Sequence, residues 1–408
     1  MPPLPDPYRG QPATDAMAVE EAEARALLHL VRCAVPLGAV RTLLERHGGA
    51  VAALDAGAAA WREAGMDAQS IGDLRAAPRA EPTFDAWIAA PGRAVIGWHH
   101  PDYPPALREA ASPPAALFVE GDASLLWRPA IAVVGTRQPS PGGRDNAADF
   151  ARAFSRAGFL VASGMAAGID TAAHHAALEA GAPTLAVLGT GPDLAYPREN
   201  AALRDAIAAR GVLVSEHPPG TGAQRQHFPS RNRIIAALAL GTVVVEAAAR
   251  SGALITARQA GEAGREVFAV PGSIHNPMAR GCHRLIRDGA TLVETPAEVI
   301  DALAGVAARW AGQLRLQLAT SDPTCAPDAE PAGPRRPAPA LPPAPAPTPF
   351  PDDPDSHILW QALGHDPTDM DQLVQRTGLT PSRVSSMLLV MELEGRVAAR
   401  HGRYHRVH

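Results

Sequence analysis

The sequence predicts an α/β protein: a doubly wound, mostly parallel sheet with a small helical module before it and a winged helix after it. Three observations predict this. Seven short β-branched runs alternate with alanine-rich helical stretches between Ala94 and Leu303. Apolar residues ahead of them recur at helical spacing instead. A tract with 13 prolines in 32 residues, Pro323 to Pro354, then separates the α/β part from a tail of different character.

Residues 1–18 are Pro-rich and are expected to be a disordered tail. Over residues 19–80, Leu27, Leu28, Val31, Val40, Leu43 and Leu44 mark helices that Pro36-Leu37-Gly38 and His47-Gly48-Gly49 cut short. A helix-hairpin-helix-like or SAM-like unit fits that pattern. Within residues 90–308 the runs Ile131–Val134, Leu160–Ala162, Thr184–Leu188, Val212–Ser215, Thr242–Val245, Val267–Val270 and Thr291–Val293 are almost continuously apolar. Strands buried on both faces of a parallel sheet require that. The Pro/Ala-rich stretch 311–354 reads as an extended polyproline-type linker. In residues 355–408, Asp369 can cap one helix, Pro381 can open a second, and Val397–Val407 reads as a hairpin around His401-Gly402-Arg403. Helix, turn, helix and hairpin is the winged-helix order.

Composition narrows the chemistry. All 37 basic residues are arginine. Without lysine there is no Schiff-base chemistry and no P-loop whose phosphate contact is a lysine. A GC-rich genome would leave the same bias, but it makes guanidinium the only strong cation available. Cys33, Cys282 and Cys325 form no CxxC pair, so neither a zinc ribbon nor a disulfide framework is expected. The histidines lack metal-ligand spacing and read as helix-surface or capping residues. The N-terminus has no apolar signal core, and the apolar run Ile234–Val245 is too short to span a bilayer. A cytoplasmic protein with no cofactor and no membrane partner is the expectation.

Gly135-Thr136-Arg137 follows the first strong strand and Ser163-Gly164-Met165-Ala166-Ala167-Gly168-Ile169-Asp170 the second. Glycines there let backbone N–H groups approach an anion at a helix N-terminus, although a tight turn alone would also want them. Asp170 could serve as a base or as a helix cap. His227-Phe228-Pro229-Ser230-Arg231-Asn232-Arg233 is more specific. On a turn, Arg231 and Arg233 could fork towards adjacent phosphates while Phe228 stacks on a base. A solvated salt-bridge cluster is the plainer alternative. Ser251-Gly252 would open a further helix facing an anion.

Together these stretches resemble the DprA (Smf) family, the DNA-processing protein of natural transformation. The resemblance rests on GTR at 135–137, SGMAAGID at 163–170, HFPSRNRII at 227–235, VVEAAARSGALITA at 244–257, FAVPG at 268–272 and GCHRLIRDGA at 281–290. Asp102-Tyr103-Pro104 precedes them, and all occur in family order over about 200 residues. It implies an extended Rossmann-like domain that binds single-stranded DNA without catalysis, forms a homodimer and helps load RecA recombinase. Carried over by motif, Gly135, Thr136, Arg137, Ser163, Gly164, Gly168, Phe228, Arg231, Asn232, Ser251 and Gly252 would line the strand-binding groove. Arg233 either joins them or faces a carboxylate such as Glu246. Some relatives use a lysine near this pocket; with none here, Arg225 or another arginine would stand in for it, or the contact would be missing.

The chain carries a net charge of −5, yet between Arg225 and Asp288 nine arginines face four carboxylates. Local sign governs a bound strand. If three to five phosphates are neutralised, log affinity should fall against log salt with a slope of roughly −2 to −3.5, and Arg231→Ala should reduce it by about 0.7. Two rivals remain at this level. A nucleotide phosphoribohydrolase would need Glu246 at a glycosidic bond, but its PGGxGT loop is missing and Pro141-Gly142-Gly143 continues into Arg144. A regulator reading duplex DNA would need base-reading side chains, which Ser382–Leu389 scarcely offers.

Overall fold

A computed structural model of the chain describes residues 13–33, 35–78, 81–321, 354–363, 368–400 and 403–406. It divides into two units, residues 1–315 and 316–408. The first opens with six helices: α1 (Ala13–Arg32), α2 (Leu37–His47), α3 (Ala50–Asp55), α4 (Gly57–Glu63), α5 (Ala68–Ala76) and α6 (Pro82–Ile88). Helix α1 begins inside the stretch expected to be disordered, because no proline interrupts residues 13–35; residues 1–12 lie outside the described residues. Leu27, Leu30, Leu43, Leu44 and Trp61 close the core of this module. The Glu23 carboxylate caps α3, accepting from the N–H groups of Ala50 and Val51, and pairs with His99 Nε2 at 3.0 Å. That pair ties the helices to the sheet that follows.

The sheet-forming elements run β1 (Arg93–Gly97), α7 (Pro105–Arg108), β2 (Ala116–Gly121), β3 (Ala130–Val134), α8 (Pro141–Arg156), β4 (Leu160–Ser163), α9 (Ile169–Glu179) and β5 (Thr184–Leu188). Then come α10 (Ala201–Arg210), β6 (Val212–Ser215), α11 (His227–Leu238), β7 (Ala239–Val244), α12 (Ala253–Glu262), β8 (Glu266–Ala269), α13 (Arg280–Arg287), β9 (Thr291–Leu292) and α14 (Pro296–Ser321). Nine strands lie in the order β1-β2-β6-β5-β4-β3-β7-β8-β9. From β6 to β9 every pairing is parallel; β1 with β2 and β2 with β6 are antiparallel. Each of the seven expected runs is a strand of this extended Rossmann-like sheet.

Alternation along β3 shows why those runs are continuously apolar. Ile131 and Val133 enter one core layer with Phe150, Phe154 and Ile169, while Ala130, Ala132 and Val134 enter the other with Leu160, Ile234 and Ile235. Both faces are covered, as parallel strands demand. Fully burying one such side chain contributes about 1.5–3 kcal/mol. Helix α14 continues to Ser321, past residue 311 where the linker was expected, since residues 311–321 carry no proline and Gln313 to Ala319 are good helix formers. Residues 322–353, with most of the proline tract, lie outside the described residues.

The second unit holds α15 (Pro354–Leu363), β10 (Thr368–Asp369), α16 (Met370–Thr377), α17 (Pro381–Leu393), β11 (Val397–Arg400) and β12 (Arg403–Arg406). Asp369 accepts the Gln372 N–H at 2.8 Å as the N-cap of α16, and Pro381 starts α17. Strands β10, β12 and β11 make a small antiparallel sheet, and the hairpin's tip at 401–402 lies outside the described residues.

Candidate nucleic-acid interface

The parallel strands run outward from β3 in both directions, to β4, β5 and β6 on one side and to β7, β8 and β9 on the other. A crevice forms at the carboxyl ends of strands where the winding reverses. Here the loops after β3, β4 and β7 meet and are bonded to each other. The Thr136 N–H donates to Glu246 O at 2.6 Å, and the Ile169 N–H donates to Thr136 O at 3.2 Å. Gly135 is forced by this closeness, because a Cβ would fall 2.6 Å from Ile169 Cγ1 and 2.8 Å from Glu246 O. Gly168 is forced twice: its φ is +89° and a Cβ would strike Thr136 O. Ser163 is fully buried and donates to Val133 O at 2.6 Å. It therefore fixes the strand ends and leaves no free hydroxyl.

Asp170 is neither an open base nor the N-cap, a place Gly168 occupies. Its buried carboxylate reaches back to accept the N–H groups of Gly164 at 3.1 Å and Ala166 at 3.3 Å. Burial raises its pKa, while the Arg231 guanidinium and those N–H groups oppose the rise. Met165 between them has a φ of +58° and is fully buried. The whole loop is thus clamped before any ligand arrives.

The HFPSRNR stretch lies in the first turns of α11, not on a turn ahead of it. Residues two apart on a helix point to nearly opposite sides, so Arg231 and Arg233 cannot form one fork. Arg231 turns inward and is only 4% exposed. Its Nη1 donates to Gly164 O at 2.6 Å and to Val187 O, joining the ends of β4 and β5. Burial pulls this guanidinium down to about 10, against the attraction of Asp170. Arg233 pairs with a carboxylate, as the alternative reading held, but with Glu216 and not with Glu246. Asn232 donates to Gly252 O at 3.5 Å, bringing α11 and the start of α12 together. Gly252 is exposed, and Ser251 accepts the Ala253 N–H at 3.3 Å. Ser251 also lines a cleft of about 670 Å³ with Arg250, Arg258, Arg265 and Arg284.

Above this clamped floor sits an open cluster. The Phe228 ring is 5.0 Å from that of Tyr196, and the Arg137 guanidinium lies 5.9 Å from the Phe228 centroid. Tyr196 is 42% exposed and Arg137 is exposed without an ion pair among the described residues. Arg225, in the segment before α11, is likewise exposed and unpaired among them. Sequence reasoning missed Tyr196. Its signal was available: the loop after β5 ends at the same edge of the sheet as the loops already singled out, and it carries an aromatic residue.

The open cluster offers cations and ring faces above loops whose amides are already bonded. Glu246 is consumed structurally, accepting from Ser140 N at 2.9 Å, Ser140 Oγ at 2.5 Å and Asn276 Nδ2 at 2.9 Å. It holds Ser140, which caps α8 by accepting the Gly143 N–H at 3.0 Å, so its carboxylate is taken up by structural bonds and not turned to a glycosidic bond. Among the described residues no His/Cys/Asp/Glu group could hold a metal, and no helix is long and apolar enough to cross a membrane.

Residues 94–304 match the family described as DNA recombination-mediator protein A, and residues 342–403 match the DprA winged helix domain. The chain is 38% identical over 317 residues to Protein Smf of Synechocystis sp., covering 75% of this chain and 78% of that one. It is also 38% identical over 322 residues to Protein Smf of Escherichia coli, covering 79% of each. The X-ray structure of DNA processing protein A from Streptococcus pneumoniae superposes with a TM-score of 0.60 at 34% identity, over 68% of this chain and 97% of that one.

Proposed function

Because the chain belongs to the DNA recombination-mediator protein A family, whose members are called DprA or Smf, we propose that it binds single-stranded DNA at the carboxyl ends of β3, β4, β5 and β7. It shields incoming strands and helps load RecA recombinase onto them during transformation and recombination. The family is one of DNA-binding recombination mediators and not of enzymes. The observation that carries the reading is the open Arg137–Phe228–Tyr196 cluster above a bonded floor. Stacked bases accept any ring face, and unpaired guanidiniums take phosphates, so the combination suits a strand read by backbone and stacking.

Within the groove the residues divide into two roles. Arg137, Arg225, Phe228, Asn232, Ser251 and Gly252 face the strand. Gly135, Thr136, Ser163, Gly164, Gly168 and Arg231 shape the floor, and Arg233 braces α11 through Glu216. The protein works as a homodimer through the Rossmann-like domain, in the cytoplasm where RecA and entering DNA meet. A competition gel shift with single-stranded and duplex DNA tests the site. Single strands should win, and Phe228→Ala and Arg137→Ala should each weaken them. Equal binding of duplex, or binding untouched by either substitution, would overturn it.

A further inference from the structure

Tyr196 stands on the loop after β5, residues 189–197, and that loop is anchored from below by one arginine. Arg204 on α10 donates Nε and Nη2 to Pro192 O at 3.0 and 2.8 Å. The same Nη2 meets Glu120 Oε2 of β2 at 2.5 Å, and Nη1 meets Asp205 Oδ1 at 2.9 Å. The Arg204 and Glu120 side chains are only 12% and 11% exposed. Glu120 also accepts from Trp87 Nε1 of α6 at 3.3 Å and forms an ion pair with Arg93 Nε of β1 at 3.6 Å.

A pair buried to this extent is expensive to desolvate and gives fold stability little that apolar packing would not. The β2–β6 pairing beneath it is already held by backbone bonds along four residue pairs. What the pair alone reaches is the Pro192 carbonyl. The other ties of the loop run elsewhere. Gly191 N–H donates to Thr221 O at 2.9 Å, and Gly220 N–H donates to the Asp193 carboxylate at 2.9 Å. Thr190 Oγ1 bonds Leu194 O within the loop itself at 2.9 Å. Ser215 Oγ of β6 donates to Thr190 O at 2.6 Å, and the His227 ring Nδ1 lies 3.2 Å from Gly189 O. Among the described residues, Arg204 and Glu120 add the tie that joins Pro192 to α10 and β2.

We propose that Arg204, held by Glu120, is a positioning residue for strand binding: it fixes the loop at Pro192 so that Tyr196 stands preset beside Phe228. The inference rests on the single-strand reading of the site. A loop set before binding loses less freedom when a base stacks on it, so the anchor acts on affinity without touching DNA.

The test is a double-mutant cycle on the full chain, read by fluorescence anisotropy with a labelled oligothymidylate. Arg204→Met should weaken binding about tenfold with an unchanged salt slope, because preorganisation and not charge is lost. In a Tyr196→Ala background the same substitution should change Kd by less than about twofold, since both act through one ring. A purely structural arginine would give additive losses, which overturns the proposal, as does an unchanged Kd. Arg204→Lys keeps a charge against Glu120 but cannot hold both partners with one fork. It should stay folded by circular dichroism and still weaken binding, so a misfolded Arg204→Met leaves the question answerable. If the wild type ignores oligothymidylate, or Tyr196→Ala binds like wild type, the site itself fails and this inference with it. Failure confined to the Arg204 variants sinks the anchor alone.

Discussion

Arg231 carries its charge into the interior, where its Nη1 spends its bonds on two backbone carbonyls. Removing it leaves those acceptors and buried Asp170 without their cation. Arg231→Ala should therefore cost about 2–4 kcal/mol of stability, seen as a lower Tm. Its effect on the salt slope should be negligible, whereas Arg137→Ala should reduce that slope by about 0.7. Titrating Kd against salt in both variants checks the exchange of roles. His174 belongs to the same interior and not to a helix surface. It is fully buried, with Nδ1 2.8 Å from Thr184 Oγ1, and burial drives its pKa down to about 3. His217, stacked at 3.8 Å on His227, is pushed down to about 4, first by burial and then by His227. Unfolded histidines titrate near 6.5, so below that pH the unfolded chain takes up protons that the folded one refuses. Stability should be full above pH 6.5 and fall as pH drops towards 4, at up to about 1.4 kcal/mol per pH unit for His174. Urea melts at pH 7.5 and 5 would show it, and His174→Gln should flatten the dependence.

Loops are where element-scale constraints gather, and Gly168 is the tightest of them. Gly168→Ala puts a methyl onto Thr136 O at a φ of +89°, so the loops after β3 and β4 must separate. A loss of about 3 kcal/mol or more is expected, with binding weakened in proportion to the loop's displacement. Thermal melts and anisotropy on one preparation would measure both. The glycine pattern in GTR and SGMAAGID made these loops legible in the sequence, because a close approach leaves glycine no substitute. The seven parallel strands were legible for a similar reason: burial on two faces writes a continuous apolar run. Strands β1 and β2 were not seen, since β2 is specified by partners far along the chain and Arg93–Gly97 is mostly half-buried. The partner of Arg233 was hidden likewise, because Glu216 sits in a loop that only the fold brings near. In the second unit, α17 exposes Arg383, Ser385, Ser386, Leu389, Val390 and Glu392, and the Arg383 guanidinium meets Asp355 Oδ2 at 2.6 Å. Leu389 and Val390 are 58% and 54% exposed on that helix.

Across the whole molecule, charge is divided by location. The chain is acidic in total, while between Arg225 and Asp288 nine arginines stand against four carboxylates. Log affinity for single strands should fall with log salt at a slope of roughly −2 to −3.5, well short of a protein that coats nucleic acid with its full surface. A value beyond about −6 would mean that the winged helix or the cleft beside Ser251 adds phosphate contacts. The antiparallel strand β2 has a further consequence, for the order in which the chain is made. Phe118 pairs with Ser215 and Gly121 with Val212. At about 5–20 residues per second, a ribosome needs roughly 5–20 seconds to deliver β6 after β2 has emerged. Through that interval the nascent hairpin of β1 and β2 keeps one edge open, shielded on a face by Phe84 and Trp87 packing on Phe118. The cover on that face, Phe84 and Trp87, lies earlier in the chain than β2 itself, so it is made before the strand it covers and well before β6.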